Sequence, residues 1–113
     1  MSSSIRVLGD IMIVNLRGEL DHYTAFLVKS QMEENMMKFP IKKILFNFKN
    51  VSFMDSSGIG MIIGRYKALQ RTGGKVAVAG LNARVKRIFE MAGLFGIVAC
   101  YNDEKEAIDK LKE

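Results

Sequence analysis

The sequence predicts a single α/β domain with a mixed, mostly parallel sheet of four to five strands and about four helices packed on it. Three observations lead to this expectation: a hairpin signal near the N-terminus, short apolar runs that alternate with helical stripes, and short links between them. Strands that alternate with helices are joined by crossovers, which make neighbouring strands parallel. Residues 1–113 are enough for one domain with its own core.

The hairpin signal consists of two β-favouring runs, residues 5–8 and 11–16, on either side of Gly9-Asp10. A two-residue link of this kind is typical of tight hairpins, so the sheet is expected to open with an antiparallel pair. Residues 18–21 then interrupt the pattern. Asp21 is a candidate N-cap because its carboxylate can accept hydrogen bonds from the free N–H groups of a following helix.

Two helical stripes lie on either side of an apolar run at residues 44–48, which predicts an interior strand parallel to a neighbour. Pro40 ends the first helix, since it pushes the preceding residue out of the α region. Thr72-Gly73-Gly74 ends the second helix with residues suited to a left-handed cap. The first stripe comprises Ala25, Val28, Met32, Met36 and Phe39, and the second Ile59, Ile62, Ile63, Tyr66 and Leu69.

The C-terminal third predicts two more strands, residues 75–79 and 97–101, each followed by a helix. Asn82 is the expected N-cap of a helix with Val85, Ile88 and Phe89 on its inner face, and Gly93 closes that helix. Asp103, with Glu106 three residues later, predicts a capping box for the last helix.

The net charge of +5 raises the question of a nucleic-acid partner. The basic residues are scattered along the chain and do not alternate with aromatic residues, so no nucleic-acid binding is expected. The densest basic group, Arg84, Lys86 and Arg87, is either a solvated helix face or a surface that steers a partner. No apolar run approaches the roughly 20 residues that span a bilayer, so we expect a cytoplasmic protein without a membrane partner. Cys100 is expected to be a buried, reduced thiol.

Catalytic signatures are missing from the sequence. A serine hydrolase needs a glycine two residues before the serine and a histidine later in the chain, whereas His22 precedes both Ser56 and Ser57. The stretch Gly73-Gly74-Lys75 leads into a strand, which argues against a phosphate-binding loop. One cysteine and one histidine far apart do not predict a metal site. The sequence indicates a binding protein, not an enzyme, with no cofactor.

The most informative segment is residues 53–60, where Asp55-Ser56-Ser57-Gly58 precedes a helical pattern. One interpretation is structural, with Asp55 as the N-cap and the serines in the first turn. The other is a switch, because a phosphoryl group on a serine at a helix N-terminus is tolerated by the free N–H groups and the helix dipole. The residue pattern alone leaves both open.

Several segments in order along nearly the whole chain closely resemble the anti-sigma factor antagonists of spore-forming bacteria, which belong to the STAS domain family. Asp-Ser-Ser-Gly in this setting is a specific motif, and a STAS-like domain of residues 1–113 is implied. Tyr23 departs from the sporulation members, which often have histidine there, so the sporulation and general stress pathways both stay open. The similar segments are residues 19–22, 24–25, 53–60, 64–67, 85–87 and 93–95.

The resemblance implies a function and a set of site residues. An anti-sigma factor that is also a serine kinase would phosphorylate Ser56, with Ser57 as the neighbour that could be confused with it. The unphosphorylated form would bind that anti-sigma factor and release a sigma factor for transcription, and a serine phosphatase would reset the phosphorylated form. The alternative is a non-switching STAS domain that binds a ligand or acts as a scaffold. The implied partner-binding residues are Glu19, Asp21, His22, Thr24, Asp55, Ser57 and Gly58.

His22 and Asp21 each have two possible roles. His22 is either a solvent-exposed or capping residue or a partner contact. Asp21 is either the cap of its helix or a charged contact with the partner.

Overall fold

The chain folds into five strands and four α-helices, and the computed structural model describes residues 2–113. Met1, with which the expected domain begins, lies outside the described residues. No helix in residues 2–113 is both long and apolar enough to cross a lipid bilayer. The elements in chain order are β1 (Ser2–Leu8), β2 (Ile11–Leu20), α1 (His22–Lys38), β3 (Lys43–Met54), α2 (Ser56–Gln70), β4 (Lys75–Ala79), α3 (Ala83–Met91), a 3₁₀ turn (Leu94–Gly96), β5 (Ala99–Tyr101) and α4 (Glu104–Leu111).

The strands form one sheet in the order β1-β2-β3-β4-β5. The β1–β2 pair is antiparallel and all other pairs are parallel, which confirms the predicted mixed sheet with an opening hairpin. Each parallel connection passes to the next strand, and crossovers share one hand, so α1, α2 and α3 all cover the same face. The helix α4 packs on the opposite face.

The larger core lies between the sheet and helices α1 to α3. Its centre is aromatic: Phe48 packs edge to face against Phe46 and Phe89, with ring centroids 6.4 and 5.5 Å apart. On the other face, Ala107 and Leu111 of α4 cover a smaller apolar cluster. Both faces of the central strands are therefore buried, as expected for parallel strands with near-continuous apolar sequence.

The predicted helix ends are confirmed in most cases. Asn82 accepts a hydrogen bond from the Val85 N–H at 2.8 Å, and Asp103 accepts one from the Glu106 N–H at 2.8 Å. The Glu106 carboxylate, however, accepts from the Asn102 N–H and not from that of Asp103, so the predicted capping box is only half formed.

Phe39 adopts an extended backbone before Pro40, with φ −130° and ψ 146°, which confirms the predicted end of α1. Its side chain is 43% exposed, so its assignment to the inner stripe was wrong. The extended conformation at the end of the helix takes this side chain off the buried face.

Several strand boundaries differ from the prediction, and β1 begins at Ser2 instead of Ile5. β2 continues to Leu20. Gly18, with φ 93°, allows an irregularity in the ladder with β3, and the strand continues in the sheet beyond it. β3 runs on to Met54, since β2 pairs with it along this extension. β5 begins only at Ala99 because the N–H groups of Ile97 and Val98 donate to the Leu94 carbonyl in the preceding 3₁₀ turn and not to the sheet. Because of these extensions, the motifs at residues 19–22 and 53–60 lie at the carboxyl ends of β2 and β3.

The expectation of a buried Cys100 was wrong, since the structure exposes it. It lies in the middle of β5, which is only three residues long and forms one edge of the sheet. An edge strand has a partner on one side only, so an apolar run there is not buried on all sides.

Candidate functional site

The candidate site lies where β2 and β3 end side by side. Glu19 pairs with Phe53 and Leu20 with Met54 in the parallel ladder. One residue further on, the Asp55 N–H donates to the Leu20 carbonyl at 3.2 Å. Because these strands end together, α1 and α2 begin next to each other at the carboxyl end of the sheet. The two segments that the sequence singled out, residues 19–24 and 55–58, thus form one surface.

Asp21 is the N-cap of α1 and forms a reciprocal capping box with Thr24. The Thr24 N–H donates to Asp21 Oδ1 at 2.9 Å, and the Asp21 N–H donates to Thr24 Oγ1 at 2.8 Å. The hydrogen bonds from the Thr24 backbone and side chain stabilise the ionised carboxylate and lower the pKa of Asp21. The structural role predicted for Asp21 is confirmed.

Asp55 is the N-cap of α2, and its carboxylate accepts from the Ser57 N–H at 2.8 Å. Its carbonyl accepts from the N–H groups of Gly58 and Ile59 at 3.1 and 3.3 Å. Among the described residues, only the Ser56 N–H of this first turn has no hydrogen-bond partner. A phosphoryl group on Ser56 would therefore find few free N–H groups, and its stabilisation would come from the helix dipole and from solvent.

The predicted site residues differ in exposure. Ser56 is exposed at the first position of α2, and Glu19, Asp21 and His22 are also exposed, whereas Asp55 and Ser57 are half-buried. This places a hydroxyl and several polar side chains on one accessible surface.

Thr24 and Gly58 are buried beneath that surface. Thr24 is 7% exposed and is held by Asp21 and by the Glu19 carbonyl. A Cβ on Gly58 would lie 3.0 Å from Leu20 Cδ2, so a glycine allows α2 to begin directly against β2. These two residues position the surface more than they form it.

The two segments of this surface carry three carboxylates, those of Glu19, Asp21 and Asp55. Within residues 2–113, the carboxylates of Glu19, Asp21 and Asp55 form no ion pair. The Arg84 guanidinium of α3 lies over the Phe53 ring of β3, 4.6 Å from its centre. Arg84, Lys86 and Arg87 are all exposed, as both interpretations of this basic group require, and Arg84 in addition covers an aromatic ring.

A groove of about 300 Å³ runs between α1 and α2 and shares His22 and Ser57 with the surface described above. The sequence analysis did not identify its other main contributors, Phe26, Lys29, Gly64 and Arg65. The sequence contained a signal for Phe26, which is an aromatic residue outside the inner stripe of α1. In the described part of the chain, no group of three or more histidine, cysteine or acidic residues is placed to hold a metal ion.

Comparison with known proteins defines the class to which this fold and site belong. The sequence model of the STAS domain matches residues 2–107, and the chain belongs to the STAS domain family. The resemblance noted in the sequence is therefore confirmed.

Individual relatives narrow the comparison to one kind of STAS protein. The chain is 43% identical over 102 residues to the anti-sigma F factor antagonist of Paenibacillus polymyxa, covering 90% of this chain and 87% of that protein. It is 35% identical over 97 residues to the anti-sigma-B factor antagonist of Listeria monocytogenes, covering 86% and 84% of the two chains.

Solved structures agree with these relatives. The anti-sigma factor antagonist SpoIIAA in its unphosphorylated form superposes with a TM-score of 0.87 at 28% identity, covering 98% of this chain and 96% of that one. The structure of the Bacillus cell fate determinant SpoIIAA in the phosphorylated form gives a TM-score of 0.78 at 27% identity, with coverage of 96% and 98%. The predicted α/β fold is the one seen in these proteins.

Proposed function

We propose that this protein is a phosphorylation-controlled anti-anti-sigma factor of the cytoplasm. Its unphosphorylated form binds an anti-sigma factor that is also a serine kinase and thereby releases a sigma factor for transcription. Phosphorylation of Ser56 switches this binding off, and a serine phosphatase restores it. The protein acts by binding and not by catalysis of its own. The observation that carries the proposal is the exposed Ser56 at the start of α2, beside the end of β2 and the start of α1.

Exposure of Ser56 supports modification by an enzyme. A kinase must reach the hydroxyl, and Ser56 Oγ belongs to an exposed residue with no side-chain hydrogen bond among the described residues. The first turn of α2 is already fixed by Asp55, so addition of a phosphoryl group does not require the helix to rearrange. The modification therefore changes a surface while the fold is preserved.

Charge supports the switching step. A phosphoryl group adds a charge of about −1.5 to −2 beside Asp55, and close to Asp21 across the strand ends. In water this repulsion is screened, but burial under a docked partner strengthens it and adds a desolvation cost. A penalty on the order of 3 kcal/mol weakens binding about a hundredfold, which is enough to reverse occupancy.

The relatives support the same assignment. Proteins similar over most of this chain are described as antagonists of anti-sigma factors, and SpoIIAA has been solved in both unphosphorylated and phosphorylated forms. Both the sigma F and the sigma B groups occur among them, at 27 to 43% and 35 to 37% identity. The 43% identity to the sigma F antagonist from Paenibacillus polymyxa supports a sporulation-type pathway, which we propose for this protein.

The proposal is tested with the anti-sigma factor kinase from the same genome. After incubation of both proteins with ATP, mass spectrometry should locate a single phosphoserine at residue 56. Ser56→Ala should remain unmodified, and Ser57→Ala should still be phosphorylated. No phosphoryl transfer at all would favour the non-switching ligand-binding or scaffold domain.

Binding measurements test the charge mechanism separately. By isothermal titration, Ser56→Ala should bind the anti-sigma factor as tightly as the unphosphorylated protein, and Ser56→Asp should bind weakly. Ser4→Asp, which adds the same charge at an exposed position on β1, is the matched control and should bind normally. Equal affinities of Ser56→Ala and Ser56→Asp would refute the electrostatic mechanism.

A further inference from the structure

The groove between α1 and α2 has a glycine floor that the fold does not require. Gly60 and Gly64 lie inside α2, where each glycine costs about 0.5 to 1 kcal/mol relative to alanine. A Cβ built on either would meet no atom within 4 Å. Gly58 differs, since a Cβ there would lie 3.0 Å from Leu20 Cδ2. The two groove glycines keep space open on the outside of the helix.

The wall of the groove on α1 is unusually apolar for an exposed helix surface. Phe26 lines the groove and is 63% exposed, and Tyr23, one turn earlier, is 68% exposed. The core-facing side of the same helix is formed by other residues, among them Val28 and Met32, which are fully buried. The exposed aromatic residues therefore form a second apolar surface of α1, most of which is left uncovered by the described chain.

The polar groups of the groove are cationic or neutral. Lys29 and Arg65 line it together with His22, and no carboxylate of residues 2–113 does so. Arg65 is partly neutralised by Glu33 at 3.8 Å, while Lys29 forms no ion pair within residues 2–113. A complementary ligand is therefore apolar with acidic groups at its margin.

We propose that this groove receives an amphipathic helix of the anti-sigma factor, with apolar side chains against Phe26 and acidic side chains near Lys29. Grooves between helices commonly bind such a helix, and glycines at the floor allow its backbone to approach closely. The inference rests on the proposed function, because His22 and Ser57 belong both to the groove and to the surface around Ser56. The docking surface then extends along two turns of α2, from the phosphorylation site to Gly64.

Filling the groove tests this assignment. Gly64→Leu places a side chain into the open space, whereas Gln70→Leu places the same side chain on an exposed position of the same helix that does not line the groove. Circular dichroism melts should show that both variants fold. By isothermal titration with the anti-sigma factor, Gly64→Leu should bind at least tenfold more weakly, and Gln70→Leu should bind within twofold of the unsubstituted protein.

The charge of the ligand is tested by reversing Lys29. Lys29→Glu should slow association with the anti-sigma factor several-fold at low salt, and the difference should shrink as salt is added. Lys105→Glu makes the same change in net charge on α4, on the other face of the sheet, and should leave the association rate nearly unchanged.

The outcomes separate this inference from the proposed function. If the unsubstituted protein binds the anti-sigma factor and responds to phosphorylation of Ser56 while Gly64→Leu binds equally well, the groove is not the docking site and the proposed function stands. If the unsubstituted, unphosphorylated protein does not bind the anti-sigma factor, both are overturned.

Discussion

Asp21 and Thr24 hold each other in place at the start of α1 through hydrogen bonds of 2.9 and 2.8 Å that run in both directions. The pair fixes the chain where it leaves β2, next to the start of α2. Asp21 thus stabilises α1 as its N-cap, and the same carboxylate lies on the proposed docking surface.

Substitutions at Asp21 should separate these two roles. Asp21→Asn keeps an oxygen that can accept the Thr24 N–H, so its Tm should stay close to that of the unsubstituted protein. Its affinity for the anti-sigma factor should fall if the charge contacts the partner. Asp21→Ala loses the cap and should lower both Tm and affinity. A drop in Tm with Asp21→Asn as large as that with Asp21→Ala would contradict the capping assignment.

Two glycines of α2 should respond to alanine with opposite signs. Gly58→Ala places a methyl group 3.0 Å from Leu20 Cδ2 and 3.3 Å from Met54 Cβ, so it should destabilise the protein by about 1 kcal/mol or more. Gly60→Ala meets no neighbour and should stabilise it by up to about 1 kcal/mol. Urea denaturation of the two variants measures both effects. A loss of stability in Gly60→Ala would show that its open space is absent in solution.

Asn82 forms hydrogen bonds with both α3 and β3, and substitutions should show how much each bond contributes to stability. Its Oδ1 caps α3 through the Val85 N–H, and its Nδ2 donates to the Val51 carbonyl at 2.9 Å. Asn82→Ala loses both and should cost about 1 to 2 kcal/mol in unfolding free energy. Asn82→Ser keeps an oxygen that can cap α3 but has no amide donor for Val51, so its cost in chemical denaturation should be smaller. Equal costs would assign the stabilisation to the bond with Val51.

Glu104 should make stability depend on pH in the acid range. Burial raises its pKa, but hydrogen bonds from Arg6 and Asn47 outweigh this, and the pKa of Glu104 lies below its ordinary value. The folded state therefore gains stability from this group above the pKa of the unfolded chain, about 4.3, and loses it as pH falls through the folded pKa. Glu104→Gln should flatten the acid limb of a plot of unfolding free energy against pH. The exposed control Glu90→Gln should follow the unsubstituted protein.

Local chemistry in the sequence was sufficient to predict the hairpin at Gly9 and the caps at Asp21 and Asn82. The ends of β2 and β3 were missed because they depend on pairing between strands far apart in sequence. Gly18 looks like an interruption in one strand alone, yet β3 pairs on past it. The exposure of Cys100 likewise depends on the position of β5 at the edge of the sheet.

Only part of the candidate site could be predicted from the sequence, because the rest depends on contacts between segments that are far apart in the chain. The cap at Asp55 can be predicted from residue type and position. Which N–H groups near Ser56 donate to Asp55 depends on the folded geometry and cannot be read from the sequence. The groove requires α1 and α2 to pack side by side, which no local pattern specifies. Its traces in the sequence were Phe26 outside the buried stripe and the glycines at positions 60 and 64 inside a helical pattern.

Cys100, the only cysteine of the chain, is accessible on β5. A maleimide fluorophore would therefore attach at a single native position, two strands away from β3 and the segment that leads to Ser56. Partial burial raises the pKa of the thiol, so labelling should proceed faster in mildly alkaline buffer. Fluorescence anisotropy of the labelled protein could then follow complex formation in real time without an engineered attachment point.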